Sequence, residues 1–167
     1  MSSTRTTHYI KAPRAEVYRA LLDAVAITAW RVPTGMTSQV HEFDARVGGS
    51  FRISLTYAAA TGAGKTTAHT DTFHGHFTKL VPNEQVVELL EFETSDPELR
   101  GEMTITTTLA DVDDGTQVVV VHDGIPGGVP IADNEAGSRM SLAILAALVE
   151  ADWGQSHHCS GPVKLPR

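Results

Sequence analysis

The period of the hydrophobic and polar positions changes twice along this chain, and the changes divide it into three parts. Between Pro13 and Asp23, Val17 with Leu21 and Tyr18 with Leu22 recur four residues apart. This spacing predicts an amphipathic helix, because residues i and i+4 share one helical face. Pro13 suits its first position, where the missing N–H would have no intrahelical partner. A β-rich stretch from Thr6 to Ala12 precedes it as a first strand, and a second short helix, Ala24 to Trp30, ends before Pro33.

From Thr37 to Gly124 the period is two. Phe51, Ile53, Leu55 and Tyr57 alternate with Arg52, Ser54 and Thr56, as in a strand with one face on a core and the other in water. Further strands are expected over Thr70 to Val81, Gln85 to Glu93, Gly101 to Ala110 and Thr116 to Asp123, with Pro82-Asn83 and Asp113-Asp114-Gly115 as turns between them. After Gly124-Ile125-Pro126-Gly127-Gly128 the helical period returns. Ser138, Leu142, Leu145 and Val149 make one stripe, and Met140, Ile144 and Leu148 widen it, so a largely buried helix is predicted from Asp133 to Ala151. The segment from Gly154 to Arg167 carries no period and is expected to be a flexible tail.

This order predicts an α+β fold with an antiparallel, curved sheet of six to seven strands, whose apolar face only the last helix is long and apolar enough to cover. A helix that covers part of a twisted sheet leaves a hollow, and that hollow is the natural place for a small ligand.

Composition narrows the partners. The formal charge of −7 and pI near 5.5, with no Lys/Arg cluster, exclude nucleic acid as an expected partner. The longest uninterrupted apolar run, Leu142 to Val149, is far short of a bilayer span, and the polar start from Met1 to Tyr9 lacks a secretory apolar segment, so a cytoplasmic protein without membrane contact is expected. Cys159 stands alone, which rules out an internal disulfide. An exposed sheet edge would allow a homodimer.

The chain resembles the START-like, or SRPBCC, superfamily, and within it the branch similar to the activator of the 90-kDa heat-shock protein ATPase. The residues that carry the resemblance are Ala12-Pro13-x-x-Glu16-Val17-Tyr18-x-Ala20-Leu21, Trp30, Gly48-Gly49-Ser50-Phe51, His74-Gly75-x-Phe77 and Val81-Pro82-Asn83-Glu84. Gly115-Thr116, which opens a Val-rich strand ending in His122, and the terminal helix complete the set. The resemblance implies a helix-grip domain over residues 1–153 with a hydrophobic cavity, in a superfamily that includes ligand carriers, cyclases, hydrolase-like enzymes and co-chaperone domains. A chaperone partner is implied by the resemblance alone. This branch commonly has Gly-Trp at the start of the last helix, and here the pair is Gly137-Ser138, which predicts a larger or wetter pocket.

Candidate chemistry is sparse. Thr61-Gly62-Ala63-Gly64-Lys65-Thr66 looks like the end of a phosphate loop, but its first glycine position holds Ala59 and no helix is predicted to start at Lys65, so a surface hairpin loop is expected. His74 and His76 share a strand face opposite Phe73, Gly75 and Phe77, with His69 and Asp71 on the aromatic side. Two histidines without a third ligand make a poor zinc site, and a solvated face is expected. His157-His158-Cys159 lies in the tail. No metal and no cofactor are expected. Glu88, Glu91 and Glu93 are expected mainly on the outer face and sheet edge, although one that approached the cavity would have a raised pKa and could act as an acid or base. Asp133, Asn134 and Glu135 suit the helix start as capping and dipole-favouring residues.

The expected function is binding of a small apolar or amphipathic ligand. Its wall is expected to come from Trp30, Phe51, Ile53, Phe73, Phe77, Leu90, Phe92, Met103, Ile105 and Leu142, with His122, Asn134 and Ser138 as polar contacts. Two alternatives stand beside it: an enzyme of hydrolase or cyclase type pairing His122 with a carboxylate such as Glu88, and a co-chaperone-like interaction module with a broad exposed apolar patch.

Overall fold

The computed structural model describes residues 2–57 and 69–163, and side chains as far as Gly154. Among the described residues the strands are β1 (Ser2–Ile10), β2 (Met36–Phe43), β3 (Ser50–Tyr57), β4 (Thr70–Val81), β5 (Gln85–Phe92), β6 (Met103–Val112) and β7 (Gly115–Ile125). Helices α1 (Arg14–Leu21) and α2 (Ala24–Trp30) follow β1, a 3-10 turn (Pro97–Leu99) lies between β5 and β6, and α3 (Ile131–Val163) follows β7. The strands form one antiparallel sheet in the order β1-β7-β6-β5-β4-β3-β2, the α+β helix-grip arrangement anticipated from the periods.

Local chemistry sets the boundaries. Asp23 caps α2, its Oδ1 accepting from the backbone N–H of Val25 at 2.9 Å and Ala26 at 3.4 Å. The β4–β5 and β6–β7 turns each place a short polar residue in the left-handed region, Asn83 at φ 62° and Asp113 at φ 54°, where Asn and Asp are tolerated better than most side chains. The first strand begins four residues earlier than the β-rich stretch suggested and ends at Ile10. The last helix begins at Ile131 and continues to Val163, past the expected end at Ala151. The apolar stripe fades there, with Trp153 the last described side chain packed against the core, and no Gly-Pro pair occurs before Gly161-Pro162 to stop the helix. The glycine-rich segment 61–66 lies outside the described residues, as do the side chains of His157, His158 and Cys159.

The sheet curls because its ladder is interrupted. Register shifts occur between Val40 and Glu42 in β2 and between Phe77 and Lys79 in β4, and such bulges bend a strand and increase its twist. Next to the second, Gly75 sits opposite Leu90; a Cβ there would lie 2.1 Å from the Leu89 carbonyl oxygen and 2.8 Å from Leu90 Cβ. Only glycine allows β4 and β5 to fold inward at that point.

Buried side chains from both layers fill one end of the concavity. Phe51 meets Phe77 and Phe73 at centroid separations of 5.2 and 6.4 Å, and Phe43 adds an edge contact to Phe77 at 5.6 Å. From the helical layer, Val17, Leu21, Ile27, Leu142, Leu145 and Val149 are buried, each stabilising the fold by about 2 kcal/mol. Helix α3 packs mainly against β1, α1 and α2 rather than against the middle strands. The inner face of β4, β5 and β6 is therefore left partly uncovered. Among the described residues, no helix is long and apolar enough to cross a membrane.

Candidate ligand cavity

The uncovered region is a cavity of about 810 Å³ between the sheet and the first three turns of α3, within the usual size range of small-molecule sites. Its wall combines Trp30, Phe73, Leu90, Phe92, Met103, Ile105 and Leu142 with polar groups at His122, Asn134 and Ser138. Three of the expected wall residues lie elsewhere: Phe51, Ile53 and Phe77 are fully buried in the core beyond the cavity and do not line it. Strand alternation places all of these on the inner face, but it cannot separate the packed end of the hollow from the open one.

On the middle strands the wall follows directly from alternation. Val86, Glu88, Leu90 and Phe92 of β5 point inward together, so Glu88 is carried in by its apolar neighbours and is only 6% exposed. This corrects the expectation that it decorates the outer face. Arg31, just beyond α2, meets it with a two-pronged ion pair, Nη2 to Oε1 at 2.8 Å and Nη1 to Oε2 at 3.0 Å. The guanidinium also lies over the rings of Phe73 and Phe51, 5.2 and 5.7 Å from their centroids. Arg31 had no sequence signal, since nothing in the period around Trp30-Arg31 announces an inward cation. Glu91 and Glu93 do face outward, where they hold His74 at 3.2 and 3.0 Å and Arg52 binds Glu93 at 2.7 and 2.9 Å. His74 is thus tied to carboxylates on a partly exposed face, and among the described residues no three His, Cys, Asp or Glu side chains come together as a metal site.

At the β3–β4 end, Tyr57 and the buried Asp71 line the wall, and burial first, then the charge of Asp71, raises the tyrosine pKa. Asp133 in the first turn of α3 and Asp96 and Glu98 around the 3-10 turn add carboxylates to the lining. Among the described lining residues the cation is Arg31, and the carboxylates are those of Asp71, Glu88, Asp96, Glu98 and Asp133.

The polar centre on the β7 side is built from three elements. Val118, Val120 and His122 share the inner face of β7, and Thr4 of β1 pairs directly with His122 across the ladder. The Thr4 hydroxyl donates to Asn134 Oδ1 at 2.7 Å, and Asn134 Nδ2 lies 3.1 Å from His122 Nδ1. An amide nitrogen only donates, so Nδ1 accepts and the ring proton sits on Nε2. Asn134 therefore does not cap the helix. Its side chain leaves the first turn to hold the imidazole, while the Pro130 carbonyl accepts from the N–H groups of Asp133 and Asn134. Ser138 Oγ stands 3.5 Å from Nε2, longer than a well-formed N–H to O bond. Burial, and secondarily the charge of Arg31, depress the pKa of His122 from 6.5 to about 4, so the ring is neutral at physiological pH.

A family model described as Activator of Hsp90 ATPase homolog 1-like protein matches residues 11–150. Among solved structures, a crystallised protein from Chromobacterium violaceum is 33% identical over 90% of this chain and 99% of its own, with a TM-score of 0.79. A protein from Rhodobacter sphaeroides covers 90% of this chain and 93% of its own at 16% identity and a TM-score of 0.73. One from Arthrobacter aurescens, solved by NMR, covers 89% and 86% at 14% identity and a TM-score of 0.74. The last two share the fold. No curated protein matches the chain in sequence.

Proposed function

Because the chain belongs to the Activator of Hsp90 ATPase homolog 1-like family and holds a largely apolar cavity of about 810 Å³ under its last helix, we propose that it binds one small amphipathic molecule there. The observation that carries this reading is the composition of the wall. Aromatic and aliphatic side chains from β4, β5, β6 and α3 surround a few polar groups that converge from β1, β7 and α3, the arrangement expected of a pocket that gains affinity from burial and orientation from a few hydrogen bonds.

The same geometry supports binding over catalysis. Both oxygens of Glu88 are engaged by Arg31, and His122 Nδ1 is occupied by Asn134 while Nε2 keeps its proton. Neither group is free to accept a proton from a substrate. Support for a co-chaperone surface is weaker, because among the described residues the exposed large apolar side chains, Tyr9, Val25, Val47, Ile131 and Met140, are spread over β1, α2, the β2–β3 connection and α3.

Thermal-shift measurement against a panel of uncharged amphipathic compounds tests the proposal, with native mass spectrometry to confirm stoichiometry. Binding at one site should raise Tm in proportion to the logarithm of ligand concentration. A panel that leaves Tm unmoved, together with a crystal structure in which side chains close the hollow, would overturn it.

A further inference from the structure

Resting on the binding reading above, we propose that His122 donates its Nε2–H to an uncharged acceptor oxygen of the ligand, so that the ligand class is a largely apolar, neutral molecule bearing a ketone, ester or lactone carbonyl. The argument begins with the relay. Thr4 orients the Asn134 amide, the amide orients the ring, and the ring is left with one donor aimed at the cavity. In the described structure that donor meets only Ser138 Oγ at 3.5 Å, so a carbonyl oxygen could occupy a shorter position beside the same hydroxyl.

Charge selects against the other acceptors. The nearby Arg31 is already paired with both oxygens of Glu88, and among the described lining residues Asp96, Glu98 and Asp133 add further carboxylates. A ligand carboxylate would enter against these carboxylates, while the Arg31 guanidinium is already engaged by Glu88. Neutral His122 could not supply a cation, because burial and Arg31 together oppose its protonation. An amine, conversely, would place a donor against a donor at Nε2.

The experiment uses the full chain and displacement of a bound environment-sensitive dye by four probes of matched length: 2-nonanone, its isostere 2-methyl-1-nonene, nonanoate and nonylamine. The ketone should bind roughly ten-fold tighter than the alkene, the difference one neutral hydrogen bond makes, and also tighter than nonanoate, whereas nonylamine, drawn to the carboxylates rather than to the imidazole, should bind equally to the parent protein and to His122→Phe. In His122→Phe the alkene should still bind while the ketone loses its advantage. Nitrogen-15 NMR of the unaltered protein provides a readout that needs no variant: His122 should show a protonated Nε2 and an unprotonated Nδ1. Equal affinity for ketone and alkene, tighter binding of nonanoate, loss of nonylamine binding in His122→Phe, or a proton on Nδ1 would overturn this inference and leave the cavity reading standing. Failure of the dye and all four probes to bind would overturn both.

Discussion

Thr4 and Asn134, 130 residues apart, are joined by a 2.7 Å hydrogen bond that ties the first strand to the first turn of the last helix. Removing the donor in Thr4→Val leaves a partly buried amide oxygen unpartnered, so stability should fall by about 1 kcal/mol in urea unfolding. The amide also loses the contact that fixes its orientation. Ring nitrogen resonances of His122 should then shift from one tautomer toward a mixture, and unchanged resonances would show that the threonine does not set the relay.

His122 makes stability depend on pH in a defined window. The unfolded ring titrates near 6.5 and the folded ring near 4, so between these values the unfolded chain takes up a proton that the native state refuses. Its contribution is fully present above pH 6.5 and falls as the pH drops toward 4, by on the order of 3 kcal/mol in all. Glu93 acts lower, since hydrogen bonding from Arg52 holds its carboxyl at about 2 instead of 4.5. Its stabilisation is lost only as pH falls below 4.5. Urea unfolding at pH 7 and pH 5 should therefore differ in the parent protein and differ much less in His122→Gln.

The Arg31–Glu88 pair should behave as a buried couple. With side chains 15% and 8% exposed, Glu88→Leu strands a guanidinium in the wall and should cost about 3 kcal/mol. Replacing both, as Arg31→Met with Glu88→Leu, removes the stranded charge and should recover much of that loss. A double variant no more stable than Glu88→Leu would show that the pair contributes little through charge.

Ser138 Oγ stands 3.5 Å from His122 Nε2, at the position where the family resemblance implies tryptophan. Ser138→Trp should fill part of the 810 Å³ hollow and weaken ligand binding at least ten-fold while leaving the protein folded. Dye displacement measures it, and undiminished binding would place the ligand elsewhere.

Much of the architecture was legible because alternation and the final apolar stripe are strong signals. The inner face of β3 to β7 followed from period two, and the covering helix from its wide stripe. Position along the hollow was not legible. Phe51 and Phe73 share a face by parity, yet only Phe73 lines the cavity. Glu88 could have been placed by the same parity, in phase with Val86 and Leu90, had hydropathy not argued for the outside. Arg31 depends on where the chain turns after α2, and Asn134 on which way a first-turn side chain leaves its helix. Both are set by contacts with residues far away in sequence, which no local pattern records.

Strand order carries a consequence for assembly. Because β1 lies at the edge beside β7, with Ser2 opposite Ile125, the first of the described strands finds its partner only in the last of them. Closing so long a loop is entropically slow relative to forming the neighbouring hairpins. Amides of β1 should accordingly gain protection last in pulsed hydrogen exchange during refolding. The imidazole then acquires its orienting relay only as Thr4 of β1 meets Asn134 of α3, so the polar centre of the cavity is completed at the final step of folding.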